Sequence, residues 1–187
     1  MAIVNTITKH GEKNQDINSY FLNNKRTVFL KGEVTDESAM DIILQLFYLD
    51  SVSSEDVILY INSPGGSVTA GFAIYDTIKN MKCDVVTVGV GMAASMGALI
   101  LSSGTKGKRY SYRHCNILLH QIIGGAYGQA TDVEIAFHNI QKRKKTVNEI
   151  LAENTGHSIA EIVKDTDRDN HMSAEEAKEY GLIDGII

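Results

Sequence analysis

Ser95 has the surroundings of a serine nucleophile. It lies in the small-residue segment 91–97, after an apolar run at 85–90 and before a helical pattern that begins at Ala98. A strand that turns sharply into a helix lifts the side chain at the turn clear of the backbone, and small neighbours let a substrate carbonyl approach closely. Ser95 is therefore a candidate nucleophile, provided that the chain also supplies a base and a carboxylate.

His120 is the best placed of the candidate bases. A serine hydroxyl reacts only when a base removes its proton, and histidine is the side chain best matched to neutral pH. His120 ends the apolar run at 116–119 and precedes a loop that contains Gly124 and Gly125. A histidine that merely completes the packing of this strand explains the pattern equally well. The other five histidines are His10, His114, His138, His157 and His171.

The orienting acid is expected in the charged segment 164–169. A carboxylate must stabilise the imidazolium that forms during the reaction. Asp165, Asp167 and Asp169 are the candidates, and they lie between two short helical patterns. From the residues alone, a solvated charged loop is the simpler interpretation of this segment.

Two backbone segments offer N–H groups to a tetrahedral oxyanion. One is Met96, the residue after the candidate nucleophile, and the other is the glycine-containing turn at 63–67. That turn could instead cradle a phosphate, but it has neither the Lys-Ser/Thr ending of a P-loop nor the spacing of a dinucleotide-binding loop. His114 and Cys115 are poor joint ligands for zinc, because adjacent strand residues point to opposite faces. We expect no metal and no other cofactor.

The overall composition is that of an ordinary globular protein with a slight excess of acid. The formal net charge of −5 gives no reason to expect nucleic acid as a partner, and the basic run 142–145 is interpreted as a solvated helix face. No apolar run reaches the roughly 18 residues of a membrane span, and the N-terminus lacks the features of a secretory signal. Cys83 and Cys115 are expected to be free thiols, so a cytoplasmic location is predicted.

Alternating strand and helix patterns predict one α/β layered domain over residues 18–187, preceded by a weakly patterned arm at 1–17. The pattern that begins at Thr35 is apolar on nearly every side, which predicts a buried helix with a second subunit as one candidate cover. A long helix is predicted from about 131 to 154. Two short helices are predicted to begin with capping boxes, one at Ser158 and one at Ser173.

Five segments together resemble one peptidase family. They lie, in order, at 61–67, 91–97, 119–121, 167–169 and 172–177, and they are similar to the motifs of ClpP, the proteolytic subunit of the Clp protease. The resemblance covers roughly residues 18–187, with 25 positions from Ser95 to His120 and 49 more to Asp169. It implies a crotonase-like α/β fold with a protruding handle of strand and long helix at about 121–155, and it makes the segment 1–17 an axial arm.

The resemblance also implies a serine endopeptidase. Ser95 matches the nucleophile of the family, His120 its base and Asp169 its acid. Gly66 and Met96 match the donors of its oxyanion hole. The chain order Ser, His, Asp differs from the orders found in α/β-hydrolases, chymotrypsin and subtilisin, which separates this interpretation from those folds.

Assembly is implied as well. Members of the family form two stacked heptameric rings, a tetradecamer that encloses the active sites. The segment 124–154 would form the ring–ring contact, and Asp167 and Arg168 would bridge the rings by charge. AAA+ ATPases dock on the end faces and feed in unfolded protein. This chain has no Walker motif, so ATP use would belong to the partner.

Some positions depart from the family pattern. Ile122 stands where the family usually has proline, which leaves the loop after the base less restrained. His171 stands where a large apolar residue is usual. The ATPase-docking pocket of the family is typically aromatic; Tyr60 and Tyr110 fit it, whereas Asn80 does not.

These departures keep two other functions open. A scaffold paralogue would assemble into a mixed barrel with a more typical partner and contribute little catalysis. An acyl-CoA hydratase would use the same crotonase-like fold with different chemistry. The complete set of Ser95, His120 and Asp169 argues against both.

Overall fold

The computed structural model describes residues 2–8 and 11–187, so His10 lies outside the described part of the chain. The described residues form nine strands and seven helices, which in chain order are β1 Ile3–Thr8, β2 Gly11–Asp16, α1 Ile17–Lys25, β3 Thr27–Lys31, α2 Asp36–Val52, β4 Val57–Ser63, α3 Val68–Asn80, β5 Val85–Ala94, α4 Met96–Ser102, β6 Arg109–Ser111, β7 Asn116–Leu119, α5 Ala130–Thr155, α6 Ile159–Asp165, β8 Asn170–Met172, α7 Ala174–Glu179 and β9 Gly185–Ile186.

A mainly parallel sheet forms the centre of the fold. Its strands run in the order β3-β4-β5-β6-β9, and every neighbouring pair in that path is parallel. The long strand β5 pairs with β6 through its first half and with β7 through its last three residues, while β8 lies antiparallel to β7. Parallel strands covered on both faces are typical of α/β proteins. The predicted α/β class is confirmed.

Helix α4 lies at the centre of the packing. It contacts β5, α3 and α5, and every one of its residues from Met96 to Ser102 is buried. This explains why its sequence carries no polar face: a helix that is apolar all round must be covered on all sides. The turn that leads into α4 is therefore fixed from behind by the core.

The predicted helix starts are present. Ser158 and Ser173 each accept a hydrogen bond from the backbone N–H three residues on, and the carboxylates of Glu161 and Glu176 accept one from the backbone N–H of the cap residue. Thr35 caps α2 in the same reciprocal way, with a serine at the third helical position. Capping of this kind satisfies N–H groups that have no partner within the helix.

Helix α2 is covered on one side only by the described chain. Ile42 and Leu46 are buried against the core, whereas Met40, Leu44 and Phe47 are each more than half exposed. The prediction that this helix is buried on every side therefore does not hold within one chain. Its outer side is an apolar surface.

The N-terminal arm is an antiparallel hairpin of β1 and β2, separate from the main sheet. Asp16 ends the hairpin and caps α1 by accepting hydrogen bonds from the N–H groups of Asn18 and Ser19. An axial role for the segment 1–17 stays a prediction.

The segment predicted as a handle has two parts. Residues 120–129 contain no helix or strand, and α5 follows them with only Val147, Asn148 and Leu151 buried. A protruding handle at 121–155 stays a prediction. Among the described residues, no helix is long and apolar enough to cross a membrane.

A buried ion pair ties the end of the chain to the sheet. The side chain of Arg109 is only 5% exposed, and its Nε and Nη2 atoms lie 2.8 and 2.6 Å from the two carboxylate oxygens of Asp184. Its Nη1 donates to the Asn154 carbonyl at the end of α5. Burial acts to raise the pKa of Asp184, but hydrogen bonds and charge from Arg109 outweigh it, and the net shift is downward.

Asp184→Asn should lower the free energy of unfolding at pH 7 by about 2–3 kcal/mol, because it leaves a buried guanidinium without its carboxylate. The folded-state pKa of Asp184 is below its ordinary value, so its contribution is full above the ordinary carboxyl pKa of about 4 and is lost as the pH falls through the lower value. Urea unfolding of wild type and variant at several pH values measures this. Asp76→Asn, at an exposed carboxylate, is the control; an equal loss in both variants would contradict the prediction.

Candidate active site

Ser95 lies at a strained turn between β5 and α4. Its backbone has φ 54° and ψ −121°, and among the described residues only Arg26 is another non-glycine residue with positive φ. Such conformations cost of order 1–3 kcal/mol and persist only where the surroundings impose them. The Ser95 N–H donates to the Leu118 carbonyl of β7 at 2.8 Å, and its own carbonyl accepts from Ala98 and Leu99 in the first turn of α4. Strand pairing and helix together hold the turn.

Sheet register brings the three sequence-predicted residues to one edge. Ala94, the last residue of β5, is paired with Leu118 of β7, and Ser95 follows it as the N-cap of α4. Leu119 and Asn170 are the last pair between β7 and β8, so His120, which follows β7, and Asp169, which precedes β8, lie at adjoining strand ends. Strand pairing, rather than closeness in sequence, gathers these side chains.

His120 faces both of the other two residues. It lines a cavity of about 240 Å³ together with Ser95, and an open depression of about 470 Å³ together with Asp169. Among the described residues no hydrogen bond joins His120 to either of them. Its Nδ1 atom lies 2.6 Å from the Gln121 carbonyl oxygen. A carbonyl can only accept, so Nδ1 carries the proton and Nε2 of the neutral ring is left unprotonated, as a general base requires.

The other two aspartates of the segment 164–169 face different partners. The Asp165 carboxylate accepts from the Tyr180 hydroxyl at 3.0 Å. Asp167 and Arg168 are exposed neighbours whose charged groups lie 3.5 Å apart, and both line the depression beside His120. The structure therefore separates Asp165 from Asp167 and Asp169, which the sequence alone could not do.

The glycine-containing turn packs directly against the turn of Ser95. The Gly65 carbonyl accepts from Val34 at 2.8 Å, which fixes the loop after β4. A Cβ atom on Gly65 would lie 2.7 Å from the Ala94 oxygen and 2.9 Å from the Met96 nitrogen. Only glycine allows two backbones to come this close.

Two backbone donors face the same cavity as Ser95. Gly66 and Met96 both line it, and neither N–H donates to an acceptor within the described chain. Met96 is the first residue of α4, where the N–H has no partner inside the helix. Unpaired N–H groups beside a serine are what an oxyanion hole needs.

The rest of the cavity beside Ser95 is apolar. Side chains from α3, β7, α5 and the loop after His120 enclose it, and they are Val68, Leu119, Ile122, Ile123, Val147 and Leu151, with Leu99 of α4 at its base. Such a cavity suits an apolar side chain of a bound substrate.

A second, larger cavity lies at a different place. It has a volume of about 540 Å³ and contains Tyr60, stacked on Phe29 with ring centres 5.5 Å apart, beside Phe21 and Tyr112. Of the three residues predicted for ATPase docking, Tyr60 lines this cavity, whereas Tyr110 and Asn80 do not. The Tyr110 hydroxyl donates to Gly107, and the Asn80 amide donates to Asp76 within α3. The sequence analysis did not identify the other aromatic residues of this cavity, Phe21, Phe29 and Tyr112. Phe29 is paired with Tyr60 across β3 and β4, which becomes visible only once the strand register is known.

Gly65→Ala should lower the free energy of unfolding by about 2–4 kcal/mol, because it adds steric conflict with the Ser95 turn to the cost of a left-handed backbone. Gly107→Ala is the matched control. Gly107 has a similar φ of +88°, against +92° for Gly65, but open space around its Cβ position. It should lose only about 1 kcal/mol. Urea denaturation measures both, and equal losses would show that the turn has room for a methyl group.

A comparison with protein-family models identifies the family of the chain. The Clp protease family model matches residues 9–187, which is nearly the whole chain. A match of this length covers the whole central sheet and the strained turn at Ser95. The chain belongs to the Clp protease family of serine peptidases.

Proposed function

We propose that the chain is the proteolytic subunit of an ATP-dependent Clp protease, a serine endopeptidase that cuts unfolded proteins into small peptides. Ser95 is the nucleophile, His120 the base and Asp169 the acid. The observation that supports this proposal is that His120 shares one cavity with Ser95, at its strained turn, and a second with Asp169.

The proposed reaction begins at the Ser95 hydroxyl. His120 Nε2 takes its proton while Oγ attacks the scissile carbonyl, and the N–H groups of Gly66 and Met96 stabilise the oxyanion. His120 then gives the proton to the leaving amine as the C–N bond breaks. Water, activated by the same base, hydrolyses the acyl-enzyme and restores Ser95.

Full activity requires one rearrangement in this proposal. His120 Nδ1 donates to the Gln121 carbonyl in the free chain, whereas a stronger base needs the charged Asp169 carboxylate in that place. An ionised acceptor makes a stronger hydrogen bond than a neutral carbonyl and stabilises the imidazolium. The free chain thus holds the correct tautomer in a resting arrangement.

Ser95→Ala should remove essentially all peptide cleavage, a loss of about 10⁴–10⁶ in kcat, as expected for a catalytic triad. A fluorogenic peptide with leucine at the cleavage site measures this, since the cavity beside Ser95 is apolar. Ser67→Ala, at a hydroxyl that caps α3, is the control for loss of a nearby serine. Retention of most activity by Ser95→Ala would refute the assignment.

A scaffold subunit is the alternative, and the absence of a hydrogen bond between His120 and Asp169 in the described chain favours it. Fluorophosphonate labelling separates the two functions. If the chain is an endopeptidase, the fluorophosphonate labels Ser95 in the purified chain. If it is a scaffold, Ser95 is labelled only after a second paralogue is added, or never.

We propose that the chain assembles into heptameric rings and, by stacking two of them, a tetradecamer, or a mixed barrel with a paralogue. The supporting observation is the exposed apolar side of α2, including Leu44 and Phe47; apolar patches of this kind mark protein interfaces. Asp167 and Arg168 are exposed and available for the ring–ring contact.

A partner ATPase and the location are also part of the proposal. An AAA+ Clp ATPase would dock at the cavity around Tyr60, whose lining does not include Tyr110 or Asn80, and would deliver unfolded protein. The proposed location is the cytoplasm, and no nucleic acid or membrane takes part.

Phe47→Asp should reduce the fraction of chains in rings about tenfold or more, because a charge would be buried in an apolar contact. Native mass spectrometry measures the assembly. Gln45→Glu adds a negative charge to the same helix and leaves its apolar side intact, so its rings should survive. Intact rings of Phe47→Asp would show that this side of α2 is not an interface.

A further inference from the structure

The side chain of Gln121, the residue after His120, joins two other parts of the fold. Its Oε1 atom accepts from Lys144 Nζ of α5 at 2.8 Å, and its Nε2 donates to the Asp167 carbonyl at 2.8 Å. The same amide nitrogen lies 3.4 Å from the Asp167 carboxylate. Lys144, Gln121 and Asp167 are called the Gln121 bridge below.

Lys144 differs from the rest of the basic run. Lys142, Arg143 and Lys145 are exposed, as predicted for a solvated helix face, but Lys144 is half-buried and directed at the loop after β7. A hydrogen bond from a charged donor contributes more than a neutral one. The prediction of a solvated face is therefore wrong at this one position.

The loop after His120 has little else to fix it. Residues 120–129 form no helix or strand, and Ile122 lacks the restricted φ that a proline would supply. The backbone carbonyl of Gln121 also accepts a hydrogen bond from His120 Nδ1. The position of Gln121 therefore decides where the imidazole rests before Asp169 replaces that acceptor.

The other end of the bridge, Asp167, lies near the proposed acid Asp169 in the chain. Asp167 precedes Asp169 by two residues, on the loop between α6 and β8. A bond from Gln121 to the Asp167 backbone thus fixes the separation between the loop of the base and the loop of the acid. The bond to Lys144 fixes both loops to α5.

We propose that the Gln121 bridge is a positioning device for His120. It holds the loop of the base beside the loop of the acid, so that the imidazole can pass from the Gln121 carbonyl to the Asp169 carboxylate while it stays beside Ser95. This inference rests on the proposed function. Gln121 and Lys144 act through His120 and touch no reacting atom, so they are positioning residues. Because a displacement of about 1 Å can cost about 100-fold in rate, loss of the bridge should affect kcat far more than KM.

The test compares variants as assembled protein, with kcat expressed per site that fluorophosphonate labels. Gln121→Leu removes both bonds of the bridge, and Lys144→Met removes one. Each should lower kcat by about 10- to 100-fold with KM changed by less than about threefold. The double variant should be no slower than Gln121→Leu, since residues of one network are not additive.

Two further variants separate positioning from a general effect on folding. Lys144→Arg keeps a charged donor and should restore kcat to within about threefold of wild type. Lys178→Met removes an exposed charge from α7, outside the proposed ring–ring contact, and should have no effect. Lys144 lies on the surface of α5, so Lys144→Met leaves the core unchanged. This variant therefore tests the positioning role even if Gln121→Leu folds poorly.

The outcomes are distinguishable. Wild-type kcat per labelled site in both Gln121→Leu and Lys144→Met would overturn the positioning role and leave the peptidase assignment intact. An equal loss in Lys178→Met and Lys144→Met, or no rescue by Lys144→Arg, would also overturn it. A wild-type assembly that neither labels nor cleaves would refute the proposed function and this inference with it.

Discussion

The pairing of β7 with its two neighbours decides where the candidate site residues lie. Its parallel pairing to the last residues of β5 sets the turn of Ser95 beside the end of β7, and its antiparallel pairing to β8 brings the end of β7, before His120, next to the start of β8, after Asp169. Side chains alternate between the faces of a sheet, so a slip of one residue in either pairing would turn a member of the set away from the others. The core beneath α4 and the ion pair at Arg109 serve this register by keeping the strands in place.

Strain and close packing occur at the same point. Ser95 keeps a positive φ because β7, α4 and the turn at Gly65 surround it with fixed backbone. The packing of the buried strands and of α4, which has no exposed residue, offsets the cost of the strained backbone at Ser95. A rigid frame thus carries Ser95, Gly66 and Met96. His120 follows a strand but belongs to a loop without regular structure, so its position depends on side-chain bonds.

The sequence predicted the parts of this fold that depend on local chemistry. The capping boxes at Ser158 and Ser173, the sharp turn at Ser95 and the α/β alternation each follow from short-range rules, and all are present. The hairpin of the arm was missed, because its strands have no apolar alternation. The separation of Asp165 from the other two aspartates was out of reach of the residues alone, since the contact of Asp165 with Tyr180 depends on tertiary packing. The half-buried state of Lys144 was also out of reach, since a run of four basic residues gives no sign of which one faces the loop.

The contact at Gly65 has a consequence for how this sequence can change over time. The atoms that a methyl group would meet include the Ala94 oxygen and the Met96 nitrogen, which belong to the backbone and not to a side chain. A smaller side chain on a neighbour can relieve a conflict between side chains, but no substitution removes a peptide group. Single substitutions of Gly65 are therefore not accommodated by changes at neighbouring side chains. The loop at Gly107 has no such neighbour, so a substitution there meets only the cost of the left-handed backbone.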